Sequence, residues 1–157
     1  MNKWIDEYIE QHKKIISGLN KDIIIKLIEA IKKTRDEGRQ IFIIGNGGDA
    51  AIASHLGVDL GKGGSLGKKK RFRVFVPSDN VPWLTAIAND LSYEDVFVEQ
   101  IENFARPDDF LLALSVSGSS PNIVKAIKRA KEIGMGTAAI VGDRQGKVID
   151  MVDMAVV

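Results

Sequence analysis

Five short apolar runs, separated by helical or turn-rich stretches, leave this chain few folds to choose from. The runs are Ile41-Phe42-Ile43-Ile44, Phe72 to Val76, Phe110 to Leu114, Thr137 to Val141 and Met154 to Val157. Each is apolar on both faces, the pattern of a strand covered on two sides. Helical patterns run from Asp49 to Leu60, Trp83 to Ala88, Val96 to Phe104 and Ile123 to Ile133, with Asn89-Asp90 at a break and Gly61 to Gly67 as a glycine-rich loop. Strands alternating with helices predict an α/β fold: a three-layer sandwich with a five-stranded parallel sheet flanked by helices.

Ahead of the sheet, Trp4, Tyr8, Ile15 and Leu19 fall at helical spacing, Gly18-Leu19-Asn20 breaks it, and Ile23, Leu27 and Ile31 resume it until Gly38. This predicts an N-terminal helical hairpin. Its apolar faces suit either packing on its own domain or a partner subunit. A length of 157 residues suits one domain, with helices over 1–38 and the sheet core over 39–157.

Composition narrows the function classes. A formal net charge of +1 gives no global attraction to nucleic acid or a membrane surface. The one dense basic cluster, Lys68-Lys69-Lys70-Arg71-Phe72-Arg73, lacks aromatic interleaving and reads as a solvated loop. There is no cysteine, hence no disulfide and no thiolate ligand. No apolar run approaches the roughly 20 residues of a membrane span, and the first residues lack a signal-peptide core. The default expectation is a soluble cytoplasmic protein.

Two strand ends carry chemistry. Ser115-Val116-Ser117-Gly118-Ser119-Ser120-Pro121-Asn122 places four hydroxyls and a glycine between a strand and a helix start. Pro121 suits the first helical position and Ser120 the N-cap. The helix amino end would then face whatever the serines hold, and a phosphate fits best, the alternative being a serine-rich capping turn. Gly45-Asn46-Gly47-Gly48-Asp49 ends the first run. Gly45, Gly47 and Ala50 fit a dinucleotide fingerprint, but the next strand ends Val74-Phe75-Val76-Pro77 without the acid that would hold a ribose, so no nucleotide cofactor is expected. His55 and Asp59 lie four apart on one helix face, as an acid/base pair, two ligands of a divalent metal, or a structural contact. His12 has no such companion and reads as a surface residue.

Together these segments resemble the sugar isomerase (SIS) domain family, in its phosphoheptose isomerase branch. Gly45-Asn46-Gly47-Gly48 with Ala50-Ala51 and His55 resembles that branch's first loop and helix. Ala86-Ile87-Ala88-Asn89-Asp90 with Tyr93-Glu94-Asp95-Val96-Phe97 resembles its second signature, and the serine segment its phosphate loop. The resemblance covers nearly the whole chain and implies the SIS fold and binding of a phosphorylated sugar. Ser115, Ser117 and Ser120 would hold the phosphate, with Ser119 and nearby backbone N–H groups assisting. Asn46, Gly47, Gly48 and Asp90 would line the sugar site. The implied reaction converts sedoheptulose 7-phosphate to a heptose phosphate by aldose–ketose isomerisation, with Asp59 as base and His55 as acid or metal ligand. It also implies a divalent metal, zinc in some members, with His55 and Asp59 among its ligands, and a homo-oligomer, dimer or tetramer, with sites at subunit interfaces.

The chain departs from the family pattern in five places. Asp59 stands where many members have glutamate, Val116 where threonine is common, and Asp49 where serine is frequent. As an N-cap Asp49 is favourable, but its charge would repel a nearby phosphate. Gly142-Asp143-Arg144-Gln145-Gly146 only approximates a glycine-rich turn. The sequence stops at Asp153-Met154-Ala155-Val156-Val157, where members continue into a helix carrying a glutamine and a histidine. Two expectations follow: a truncated piece of an isomerase, or a non-catalytic phosphosugar-binding or regulatory module of the replication-initiator-associated type.

Overall fold

A computed structural model describes residues 1–142 and 146–157; the middle of the Gly142–Gly146 turn read from the sequence lies outside the described residues. Five strands form one parallel sheet: β1 (Gln40–Ile44), β2 (Arg73–Phe75), β3 (Phe110–Ser115), β4 (Gly136–Val141) and β5 (Met154–Val156), in the order β2-β1-β3-β4-β5. Ile41 stands opposite Val74 on one side and Phe110 on the other, which sets the register of the central strands.

Period-2 alternation explains the layers. Phe42, Ile44, Leu111, Ala113, Ala139 and Val141 point to one face, buried under α4 (Val81–Asp90), α5 (Val98–Phe104) and α6 (Pro121–Ile133). Ile41, Ile43, Phe110, Leu112, Leu114 and Ala138 point to the other, buried under α2 (Lys21–Asp36) and α3 (Gly48–Val58). The central strand β3 is buried at every position, so removing its apolar area from water is a main driving force for folding.

Some boundaries differ from the sequence expectation, for identifiable reasons. Phe72 stays outside β2 because its N–H donates to Ser65 Oγ (2.9 Å), and Val76 leaves it because its carbonyl starts the turn over Pro77–Asp79. Asn89 and Asp90 complete α4 rather than breaking it; the turn comes at Leu91. Val96 and Phe97 follow a separate 3-10 turn at Tyr93–Asp95, before α5 begins. After α3 the chain continues as a π-turn over Asp59–Gly63, closed by the Gly64 N–H to Asp59 carbonyl bond (2.6 Å), where the glycine content reads as open loop. The first helix, α1 (Asn2–Gly18), has no buried residue, so its apolar stripe stays largely exposed. Among the described residues no helix is long and apolar enough to cross a membrane.

Candidate active site

In this strand order the chain reverses direction across the sheet between β1 and β3, and open parallel sheets hold ligands at the carboxyl ends of strands flanking such a reversal. Both chemistry-bearing loops emerge there: Gly45 to Gly47 from β1, and Val116 to Ser120 from β3.

Two links bind these loops together. Asn46 and Asn122 form a reciprocal amide pair, each Nδ2 donating to the other's Oδ1 at 2.9 Å. Asp49, in the first turn of α3, reaches across to accept the Val116 N–H on Oδ2 (3.1 Å). The N-cap of α3 is Gly47, so Asp49 is not the cap read from the sequence: its carboxylate is a tether between loops. Gly45 permits the approach, since a Cβ there would lie 2.6 Å from the Asp49 backbone carbonyl. The link also sets a carboxylate against the serine loop, an unfavourable neighbour for a bound anion.

Within the serine loop, side-chain oxygens take up backbone donors. Gly118 N–H donates to Ser115 Oγ (3.0 Å), Ser119 N–H to Ser117 Oγ (3.3 Å), and Lys147 N–H to Ser119 Oγ (3.3 Å). The N–H groups of Val116, Gly118 and Ser119 are therefore engaged inside the protein. The hydroxyls of Ser115, Ser117 and Ser119 accept in these bonds and keep their own protons to donate, which is what a phosphate oxygen requires. Ser120 occupies the N-cap of α6 as expected, yet its hydroxyl makes no capping bond. Gly118 turns the loop at φ 59°, with Val141 and Gly146 where a Cβ would go (2.7 and 2.9 Å).

The remaining predicted residues make no bond to the serine loop among the described residues. His55 Nε2 is 3.5 Å from Asp59 Oδ2, so the pair read from spacing forms, but the side chains are 77% and 59% exposed. Asp59 stands ten residues beyond Asp49, about 15 Å along the helix axis. Among the described residues no hydrogen bond or ion pair joins the His55–Asp59 pair to the serine loop. Asp90, exposed at the end of α4, accepts from Asn89 Nδ2 at 2.9 Å and is likewise unconnected to that loop. Gly47 and Gly48 are exposed at the start of α3. An open groove of about 770 Å³ runs along α3 beside Ser54, Val58, Lys62, Val76, Asp79 and Pro82, and none of the predicted site residues lines it.

His55 and Asp59 supply two donors, whereas a protein zinc site uses three or four. Among the described residues no group of three His, Asp or Glu side chains stands close enough to hold a metal ion. One copy of the described chain therefore does not fit a zinc site.

Two further residues bond to Asn46. Asn122 is 2% exposed and bonds both Asn46 and the Ile123 N–H (2.9 Å); an asparagine directly after a helix-starting Ser-Pro was the signal available for it. Tyr93 places its hydroxyl 3.2 Å from Asn46 Oδ1. The turn carrying Tyr93 is tied to α6 by the Asp95–Lys125 ion pair, and the Lys125 ammonium, aided by the Ser92 hydroxyl, holds the Asp95 carboxyl below its ordinary range. His12 is a surface residue against Tyr8, as expected.

Comparison with known proteins identifies the family and the fold. The SIS domain family model matches residues 4–142. A probable phosphoheptose isomerase of Thermoplasma volcanium is 35% identical over 97% of this chain and 77% of its own length. The phosphoheptose isomerase of Chlorobaculum parvum is 35% identical over 96% of this chain and 72% of its own. In fold, a phosphoheptose isomerase structure from Francisella tularensis superposes with a TM-score of 0.88 at 23% identity, over 98% of this chain and 81% of that one. The chain belongs to the SIS domain family, in its phosphoheptose isomerase branch.

Proposed function

We propose that this protein is a phosphosugar isomerase that interconverts sedoheptulose 7-phosphate and an aldoheptose 7-phosphate. The observation that carries the reading is the convergence of the serine loop and Asn46 at the carboxyl ends of the neighbouring strands β3 and β1, with serine hydroxyls that keep a proton to donate on one and the Asn46–Asn122 amide pair on the other. The phosphate lies against Ser115, Ser117, Ser119 and Ser120, and the sugar hydroxyls reach Asn46, Gly47, Gly48 and Asp90.

Asp59 acts as the base. It takes a proton from C1 of the ketose, the C1–H electrons form the enediol double bond, and the C2 carbonyl oxygen is protonated. Returning a proton at C2 and releasing one from the C1 hydroxyl leaves the carbonyl at C1. His55, 3.5 Å from Asp59, moves protons between the oxygens. The separation of the pair from the serine loop along α3 favours a substrate whose reacting carbons lie at the far end from its phosphate. No step is routed through a metal, because the donor set of one chain falls short of a site.

The proposal includes a homo-oligomer. Trp4, Tyr8, Ile15 and Ile16 on α1 are 65%, 50%, 63% and 67% exposed, a largely apolar stripe that a second copy would cover. Exposure of His55 and Asp59 also leaves room for another copy to complete the site. The same exposure is the observation favouring the second reading, a phosphosugar-binding module without turnover.

Incubation with sedoheptulose 7-phosphate, followed by product detection, tests the choice. Turnover that Asp59→Ala abolishes supports the isomerase. Binding without turnover supports the module, and no binding contradicts both.

A further inference from the structure

A reciprocal amide pair such as Asn46–Asn122 is self-consistent in two orientations, with both amides flipped together or neither. One main-chain group selects between them. Ile123 N–H, in the first turn of α6, donates to Asn122 Oδ1 at 2.9 Å. Flipping Asn122 would set its NH₂ against that N–H, two donors face to face on a side chain 2% exposed. Asn122 is thereby fixed, and through the pair it fixes Asn46. The Asn46 atom facing Tyr93 must then be Oδ1, which only accepts, so the phenol commits its single proton to it.

What the Tyr93 oxygen retains is lone pairs, on a side chain 53% exposed beside Asn46. A dianionic phosphate, itself acceptor-only, gains nothing from such an atom. A sugar hydroxyl does, because it can donate. We infer that Tyr93 is a specificity-determining residue that accepts a hydrogen bond from a ligand hydroxyl, and so reads the polyol part of the substrate rather than its phosphate. This rests on the phosphosugar reading of the crevice. The orientation travels from the backbone of α6 through Asn122 and Asn46 to the phenol, so the serine loop's own helix dictates what the sugar half of the site presents.

The test is calorimetric titration of the full chain and its Tyr93→Phe variant with two probes, sedoheptulose 7-phosphate and inorganic phosphate. Phe keeps the ring and removes only the hydroxyl. The expected result is an affinity about tenfold weaker for the sugar phosphate, the effect of one lost neutral hydrogen bond, with inorganic phosphate unchanged within about twofold. An equal loss for both probes means the phenol acts only by supporting the loops, and no loss for either means it touches nothing; both results overturn the inference. A wild-type chain that binds inorganic phosphate but not sedoheptulose 7-phosphate contradicts the functional reading instead. The titrations are then repeated with glucose 6-phosphate and ribose 5-phosphate. A selective Tyr93→Phe loss with either supports the assignment, and its absence, or no binding of either, overturns it.

Discussion

The crevice between β1 and β3 and the His55–Asp59 pair at the end of α3 carry the two halves of the proposed chemistry, and they are built differently. In the crevice, the reciprocal Asn46–Asn122 pair and the Val116 N–H bond to Asp49 join segments some seventy residues apart in sequence, Ser115, Ser117 and Ser119 accept backbone donors from their own loop or from Lys147, and Asn122 is almost fully buried. The pair on α3 is a single contact between two exposed side chains one helical turn apart. Preorganisation is concentrated where a phosphosugar would be held, while the groups that would move protons stand open to solvent. Binding and chemistry should therefore respond separately to mutation.

The largest expected effect sharpens that division. Asp59→Asn should lower isomerisation by about 10²–10⁴-fold, the usual range for a removed general base, while leaving sedoheptulose 7-phosphate affinity within about twofold. Product assays and calorimetry on the same samples check it, and a parallel loss of affinity would merge the two regions. Next comes Asn122→Leu, which strands the Asn46 amide and the Ile123 N–H. A loss of about 2–4 kcal/mol in denaturant unfolding is expected, together with lost phosphosugar binding. His55→Gln should cost less than about 0.5 kcal/mol by the same measurement, since the contact it removes lies between two exposed side chains. A large loss there would mean the pair is a structural contact.

Asp49→Asn probes the electrostatics of the crevice. The amide oxygen can still accept the Val116 N–H, but the negative charge beside the serine loop is gone. Inorganic phosphate should bind about three- to tenfold more tightly, with the gain shrinking as salt rises. Unchanged affinity at low salt would place the anion elsewhere.

A smaller effect lies outside both regions. Burial pushes the Asp153 carboxyl up, but the Thr137 hydroxyl and N–H, with Lys131, outweigh it and hold the group below its ordinary 3.8. Such a carboxylate contributes stability above pH 3.8 that is lost as pH falls through its lower folded value. Asp153→Asn should flatten that acid limb of an unfolding profile and leave phosphosugar affinity unaltered.

Much of this was legible from residue patterns. Apolar runs on both strand faces foretold the layers, and Ser120-Pro121 foretold the start of α6. Contacts between distant segments were not legible: nothing local in Asp49 or Val116 announces a bond spanning 67 positions, and nothing in Tyr93 announces Asn46. The π-turn escaped because Gly61, Gly63 and Gly64 read as loop residues, while the wider helical bond from Gly64 to Asp59 leaves no periodic trace in the side chains. The apolar stripe of α1 looked the same as one packed on its own sheet, because a helix face does not name its partner.

The most direct measurement is a titration of sedoheptulose 7-phosphate into the wild-type chain and into Ser117→Ala/Ser120→Ala, two exposed or half-exposed hydroxyls whose removal leaves the core intact. The account predicts wild-type binding that weakens at least tenfold in the double variant, with an unchanged unfolding midpoint. Equal affinity in the two proteins would show that no phosphate sits at the amino end of α6, and the assignment of this site would be wrong.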